Sequence, residues 1–446
     1  MNSHHSTNRR HTAEQIFRAA VNSVMPDRLV SSTVSVERNM LRIAGIEYSL
    51  GDMENIWVIG AGKASAMMAL EMEKILGSRI TGGRVIVKYG HAVELKKITV
   101  SEAGHPVPDH NGFEASAAVL DIARRAGATD LVICLLSGGG SSLLCDAPEE
   151  LTADDIAAVN DMLVTSGATI NEINAVRKHL SGIKGGRLAV AIYPAQTVSL
   201  ILSDVTGDLL DVIASGPTAP DPTTFADAID VIDKYGIREA LPSRIIKFLF
   251  DGANGGKTET PKPGDPVFNS VSNIITGSNR IALESARLKA AELNLATVIV
   301  DNCLQGDVAP VSEYLVETAL RYQADASATK PACLLFGGET TVKTSGSGTG
   351  GRNQHLALLC ARLLRNKRGI TILCAGTDGT DGPTDAAGAV VDSETAATAL
   401  QKGLDPDTYL SDFNSYNFFK HSSGHIITGP SLTNVMDIVI VIVDRE

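Results

Sequence analysis

Three glycine-rich loops hold the residues whose types and spacing could do chemistry, and the chemistry they suggest is the handling of anions. The first is Gly60-Ala61-Gly62-Lys63-Ala64-Ser65. It follows an apolar run and opens a helical pattern, so its backbone N–H groups and the helix dipole could receive a phosphate or carboxylate beside the Lys63 ammonium. A P-loop would need glycine at position 57 and Ser or Thr at 64, where this chain has Trp57 and Ala64. The spacing Gly60, Gly62, Ser65 half-matches the dinucleotide fingerprint. The next apolar run, however, ends Val87-Lys88-Tyr89, without the acid that would hold a ribose, although a lysine there could suit a 2′-phosphate. A tight strand-to-helix turn with an exposed Lys63 accounts for the same residues.

The second loop, Ser137-Gly138-Gly139-Gly140-Ser141-Ser142, has the makings of a nest of N–H groups with two hydroxyls. Three consecutive glycines cost backbone entropy, which favours a ligand site at Gly138, Gly139, Gly140 and Ser141 over a corner that merely packs. Ser141 is not framed as a GxSxG nucleophile. In the third loop (345–354), Gly346, Gly348, Gly350 and Gly351 precede Arg352, and a helical pattern follows at once. A guanidinium, a row of free N–H groups and a helix N-terminus in one place read as a phosphate site.

Carboxylates recur where apolar runs end: Asp204, Glu339, Asp378, Asp381 and Asp385. Phosphoryl transfer needs acids both to hold Mg²⁺ against phosphates and to accept the proton of the attacking hydroxyl. Asp-Gly is equally a common turn dipeptide. His105, His110, His421 and His425 fall in loops without metal-ligand spacing. Arg177, Lys178, Lys184 and Arg187, in 171–189, read as a solvated basic face from which one residue could reach a substrate. The six cysteines form no CxxC pair and read as buried reduced thiols.

The elements that must position these loops alternate strand, glycine turn and helix. A first helix is expected from Thr12, where Thr12 and Gln15 have capping-box spacing and Ile16, Phe17, Ala20, Val21 and Val24 form an apolar stripe. The run 131–136, apolar at every position, is what a parallel strand covered by helices looks like. Repetition of this grammar predicts an α/β protein with largely parallel sheets, ligands collecting at the carboxyl ends of the strands, and 446 residues suggest two or three domains. The expected divisions are residues 1–250, a Gly/Pro-rich linker or long loop at 251–270, and 271–446. Lys plus Arg number 39 against 51 for Asp plus Glu, a net charge of -12, which argues against nucleic acid or an anionic membrane as partner. The polar N-terminus lacks a signal-peptide core, and runs such as 438–443 are too short to cross a bilayer, so a soluble, cytoplasmic protein is expected.

Together the segments GAGKAS, KYGHA, EAGHPVPD, LLSGGGSSLL, TINEINAVRKHLSGIKGGRLA, LILSDVTGD, ASGPTAPDPTT, FGGETTV, GTGGRNQ and AGTDGTDGPTDAAGAVVD resemble, in content and order, the glycerate 2-kinase family. In that family the C-terminal region, here about 330–440, is called the MOFRL domain. The resemblance implies ATP-dependent phosphorylation of D-glycerate to 2-phosphoglycerate with Mg²⁺ or another divalent cation, and two Rossmann-like α/β domains with largely parallel sheets facing each other across a cleft. It marks Lys63 and Arg352 as the principal catalytic pair, with Asp204, Glu339 and Asp378 as supporting acids. Chemically, Lys63 and Arg352 would neutralise the transferring phosphate and the substrate carboxylate. Glu339 or Asp378 would anchor the metal, and Asp204 or Asp378 would accept the C2 hydroxyl proton. Gly138, Gly139, Gly140, Ser141, Gly348, Gly350 and Gly351 are the expected nucleotide contacts. The competing readings are an NAD(P)H-dependent hydroxypyruvate reductase and a non-catalytic sensor of sugar acids or phosphate. The expected partners are small molecules, with no nucleic acid or membrane, and a homodimer is one expectation for assembly.

Overall fold

The longest unbroken apolar runs become the centres of two sheets. The structure, a computed structural model, describes residues 2–325, 330–344 and 346–444; Ser345 of the third loop lies outside them. The chain divides into two compact units, Pro26–Thr276 and Met1–Met25 together with Gly277–Glu446.

The 26–276 unit begins with a short helix, Pro26–Thr33, followed by an antiparallel ribbon of β1 (Val34–Glu37), β2 (Met40–Ile43) and β3 (Ile46–Ser49). Its main sheet contains β4 (Ile56–Ala61), β5 (Gly82–Lys88), β6 (Ile98–Ala103), β7 (Leu131–Leu136), β8 (Gln196–Leu202) and β9 (Val271–Gly277), in the order β6-β5-β4-β7-β8-β9. The pairings from β6 through β8 are all parallel. Alternate residues feed two separate cores. Leu131, Ile133 and Leu135 pack with Met68, Met72 and Leu76 of the helix Ser65–Leu76, whereas Val132 and Cys134 pack with Val119 and Ala123 of the helix His110–Arg125. A strand covered on both faces needs apolar residues at both parities, hence the continuous run. From β4 the chain steps outward to β5 and β6, then returns to β7 and steps the other way. The reversal leaves a crevice at the carboxyl ends of β4 and β7, where an open α/β sheet receives ligands, and loops one and two leave those strand ends.

Of the two readings of 251–270, the structure shows a long loop rather than a linker, irregular between the helix Ser243–Ala253 and the short helical turn Pro266–Ser270. It packs within the 26–276 unit, with Thr260 buried and donating to Asp221, and Glu259 bonded to His179. Its Gly/Pro composition makes it irregular without detaching it.

The second unit contains β10 (Ala296–Asp307), β11 (Ala332–Thr341), β12 (Ile370–Gly376), β13 (Gly388–Asp392), β14 (His425–Ile426) and β15 (Asp437–Val443), in the order β10-β11-β15-β12-β13-β14. Only β10 and β11 pair in parallel; the other four pairings are antiparallel. Largely parallel strands therefore describe the first sheet and not the second. The loop 377–387 holds no helix and is too short for a parallel crossover, and β15 enters antiparallel to both its neighbours. Its run of Ile and Val reads like a parallel strand because it is central and covered on both sides. The helices Val308–Ala324 and Arg352–Leu363 cover one face. On the other, the first helix packs against β12, β15 and the helix Asn279–Glu292, with Ile16, Phe17, Ala20 and Val24 fully buried. That is why the N-terminal residues count with the C-terminal half. The helix begins at Asn2, not at Thr12, whose hydroxyl donates to the Asn8 carbonyl one turn back. Its early polar turn is tied down by Arg9 on Asp444 and Arg10 on Asp392. Among the described residues no helix is long and apolar enough to cross a membrane. Five cysteines are buried and free, Cys134 with its thiol pushed up to about 12 by burial, while Cys303 is exposed.

Candidate active site

At the switch point of the first sheet, close packing dictates the glycines. A Cβ on Gly60 would sit 2.1 Å from the Leu135 carbonyl oxygen, and one on Gly62, whose φ is +139°, 2.1 Å from Ser137 Oγ. The first loop is thereby clamped onto the second. Gly62 N–H donates to Ile86 O, Lys63 N–H to Gly138 O, Ala64 N–H to Ser137 Oγ and Ser65 N–H to Gly62 O. These amides are consumed inside the protein, so loop 60–65 does not offer the backbone cradle expected from its sequence. What it offers is the Lys63 side chain.

The cradle lies next door. The N–H groups of Gly138, Gly139 and Ser141 find no acceptor among the described residues, and charged side chains converge on them. A Cβ on Gly138 would meet Asp204 Oδ2 at 2.2 Å; one on Gly139, with φ of +82°, would meet His105 Nε2 at 2.7 Å and Lys63 Cε at 3.6 Å. Lys63, His105 and Asp204 thus surround two glycines that have no room for side chains. Burial raises the Asp204 carboxyl above its ordinary range, with Lys63 opposing. Burial, helped by Lys63, Lys88 and His91, lowers His105 to about 4, so the imidazole is neutral at physiological pH. Ser141 Oγ lies 2.7 Å from Ser215 Oγ, which donates to Asn174 Oδ1. Ala214 and Ser215 are held at φ of 51° and 60°, a strained geometry for residues with a Cβ.

The second unit gathers its own set. Arg352 donates Nε to Asp437 Oδ2 at 2.6 Å and Nη2 to Asp437 Oδ1 at 3.0 Å, and its Nη1 lies 2.6 Å from Glu339 Oε1. Burial works against this charge, but Asp437 and Glu339 outweigh it and raise the guanidinium's pKa. Glu339, Gly350, Gly351, Arg352, Asp378 and Asp381 line one open pocket of about 610 Å³. Gly348 is not in its lining. The row of free N–H groups expected in loop three is largely occupied. Ser347 and Gly348 donate to Asp412, Thr349 to Asn414, and the first helical amides, Asn353 and Gln354, to the carboxylate of Asp381. The glycines also have packing reasons: added Cβ atoms at Gly348, Gly350 and Gly351 would lie 2.2–2.4 Å from Asp412, Ser415 and Asp381. Loop three therefore spends its amides at 347–349, 353 and 354 inside the protein, while those of Gly350, Gly351 and Arg352 find no acceptor among the described residues and stand at the pocket beside the guanidinium. Burial lifts Asp381 to about 6. Asp378 Oδ1 accepts from Thr380 N–H, and Asp385 from the Tyr416 hydroxyl.

Among the described residues no three His, Cys, Asp or Glu side chains cluster to hold a metal alone. Glu339 and Asp378 nevertheless face the same pocket. Magnesium is commonly held by one or two carboxylates plus substrate phosphates, so this donor pair fits an ion that arrives with a nucleotide. The basic stretch 171–189 is not a solvated face: Lys178 and Lys184 are buried, and Lys178 bridges Asp211 and Asp221. Sequence reasoning missed Asp437, which only looks like the polar start of an apolar strand, and missed that His105 stands against the glycine nest.

A sheet with this strand order, a glycine nest ringed by Lys63, His105 and Asp204, and a clamped arginine among carboxylates define an enzyme built to handle small anions. The comparisons narrow the class. Residues 12–250 match the family described as a domain of unknown function, DUF4147, and residues 332–437 match the MOFRL family. The chain belongs to the glycerate kinase family. A D-glycerate 2-kinase of Thermotoga maritima is 39% identical over 96% of this chain and 97% of its own length. The crystal structure of a glycerate kinase from Thermotoga maritima superposes with a TM-score of 0.87 at 38% identity, covering 98% of this chain and all of that one. A protein of Agrobacterium vitis provisionally named hydroxypyruvate reductase is 42% identical over 85% of both chains.

Proposed function

We propose that this protein transfers the terminal phosphoryl group of ATP to the C2 hydroxyl of D-glycerate, giving 2-phosphoglycerate and ADP. One observation carries the reading: the lysine, neutral histidine and half-buried aspartate ring a set of backbone donors that no group among the described residues accepts from, at the sheet's switch point, in a chain 39% identical to a D-glycerate 2-kinase across nearly its whole length.

Lys63 and the Gly138, Gly139 and Ser141 amides bind and orient an anionic group, supplying fixed donors where negative charge develops. Asp204, whose raised pKa favours taking a proton, accepts it from the substrate hydroxyl as that oxygen bonds to phosphorus and the bond to ADP breaks. Arg352 uses three of its five N–H groups on Asp437 and Glu339. One N–H on each terminal nitrogen stays available for a phosphate or carboxylate. Glu339 and Asp378 would hold Mg²⁺, which when bound neutralises phosphate charge.

The reductase reading draws on the strand order and on the Agrobacterium relative. Against it stand the consumed amides of loop 60–65 and Lys88 at the end of β5, where an acid would hold a ribose. The test supplies D-glycerate, ATP and Mg²⁺, follows ADP, and identifies the product by phosphorus NMR, with hydroxypyruvate and NADH or NADPH in parallel. Lys63→Ala and Arg352→Ala are each expected to lower turnover at least about a hundredfold while remaining folded. Nicotinamide oxidation without ADP release would refute the kinase.

A further inference from the structure

Within the 26–276 unit, a pocket of about 550 Å³ opens beside the glycine nest, with Ser141 and Ser142 in its lining. Two cations face it without counter-ions. Arg177 Nε donates to Asn160 Oδ1 at 2.6 Å, and Lys184 Nζ to the Leu144 carbonyl. Among the described residues neither has a carboxylate within ion-pair distance, whereas Lys178, the next residue along from Arg177, has two. Asp146 also lines the pocket, but its oxygens accept from Ser181 Oγ and Gly182 N–H. Lys184 is buried and Arg177 half-buried, and burial lowers the pKa of both. An unpaired cation held out of water is costly, and two of them facing one cavity are accounted for by an anionic occupant.

The rest of the wall is mainly apolar, including Pro106 and Val164. The volume falls in the range of roughly 300–1,000 Å³ that encloses a drug-sized ligand, far more than a three-carbon acid fills. A polyphosphate joined to a flat base matches both the cations and the apolar wall.

We propose that this pocket seats ATP. Arg177, Lys184 and the Ser141 and Ser142 hydroxyls hold the polyphosphate, with its terminal phosphate toward the Gly138, Gly139 and Ser141 amides and its base against Pro106 and Val164. This rests on the kinase reading for the identity of the nucleotide.

The test is equilibrium titration of the full chain with a fluorescent N-methylanthraniloyl-ATP in the absence of glycerate, using Arg177→Gln and Val164→Trp. Val164 is 61% exposed, so the tryptophan obstructs the pocket without repacking a core, and it decides the matter even if the arginine variant does not fold. Both variants are expected to weaken nucleotide binding at least tenfold while the KM for D-glycerate stays within threefold. Unchanged nucleotide affinity in both would overturn the assignment. So would a tenfold rise in glycerate KM with nucleotide binding intact, which would make this the acid's pocket, and so would absence of nucleotide binding by the parent. Saturable, variant-sensitive nucleotide binding by a parent that fails to phosphorylate D-glycerate would uphold the seat and sink the reaction instead.

Discussion

Asp437 is the residue on which the orientation of Arg352 depends, and Asp437→Asn separates orientation from simple charge. The aspartate is 6% exposed and receives two N–H groups from one face of the guanidinium; Glu339 takes a third. Asparagine fits the same space but keeps one acceptor and turns an NH₂ toward the arginine, so one of the two bonds is replaced by opposed donors. A hydrogen bond to a charged group contributes about 1.5–3 kcal/mol. Arg352 is one-third exposed and Glu339 remains, so the expected loss of stability is at the lower end, about 1–2 kcal/mol. In a unit of this size each kcal/mol lowers Tm by roughly 2–4 °C. The effect on rate is larger, because a displacement of about 1 Å in a positioned group can cost about 10²-fold. Steady-state assay of ADP release with D-glycerate should show kcat down about a hundredfold with KM changed only a few-fold, alongside the small fall in Tm. If Tm drops as stated while kcat stays within threefold of the parent, Asp437 is only a structural ion pair, and the argument that Arg352 must be held in one plane fails.

Four further outcomes follow from the structure. If Asp204 is the base, the acid limb of kcat/KM lies above the ordinary aspartate range, and Asp204→Asn removes about 10²–10⁴-fold of activity across all pH; a pH profile unchanged in that variant would assign the proton elsewhere. His105 is held at about 4, below its value in an unfolded chain, so between about 6.5 and 4 the unfolded state takes up the proton and stability falls as pH drops. Thermal melts at the two ends of that window should differ less in His105→Gln than in the parent. Gly62→Ala should destabilise by about 2–4 kcal/mol through its positive φ and its clash with Ser137, whereas Gly207→Ala, at φ of +79° with nothing within 4 Å, should cost only about 1–2 kcal/mol; equal urea midpoints would discount the clash. Phe17→Ala should cost about 3–5 kcal/mol, with hydrogen-exchange protection lost from residues 277–444 and retained in 26–276.

Much of the first sheet was legible because parallel strands covered on both faces write themselves as unbroken apolar runs followed by glycine, as 130–140 does. The second sheet defeated the same rule. β15 is equally apolar, and periodicity carries no information about the direction in which a buried strand enters. The choice between linker and long loop at 251–270 was likewise out of reach: composition reports irregular backbone, not whether Thr260 and Glu259 find partners in Asp221 and His179.

What the sequence by itself determined was the inventory: alternating strands and helices, and the residue types, Lys63, Arg352, Asp204, Glu339 and Asp378, that anion chemistry requires. What only the tertiary structure decided was which backbone groups stay free to meet a ligand. Loops one and three look like open rows of N–H donors, yet Ser137, Gly138, Ile86, Asp381 and the 412–414 segment claim many of them, leaving free donors among the described residues at Gly350, Gly351 and Arg352 and, in the nest, at Gly138, Gly139 and Ser141. Hydrogen bonds between segments far apart in the chain leave no trace in local pattern, because local pattern records what each residue could donate and not who arrives to accept.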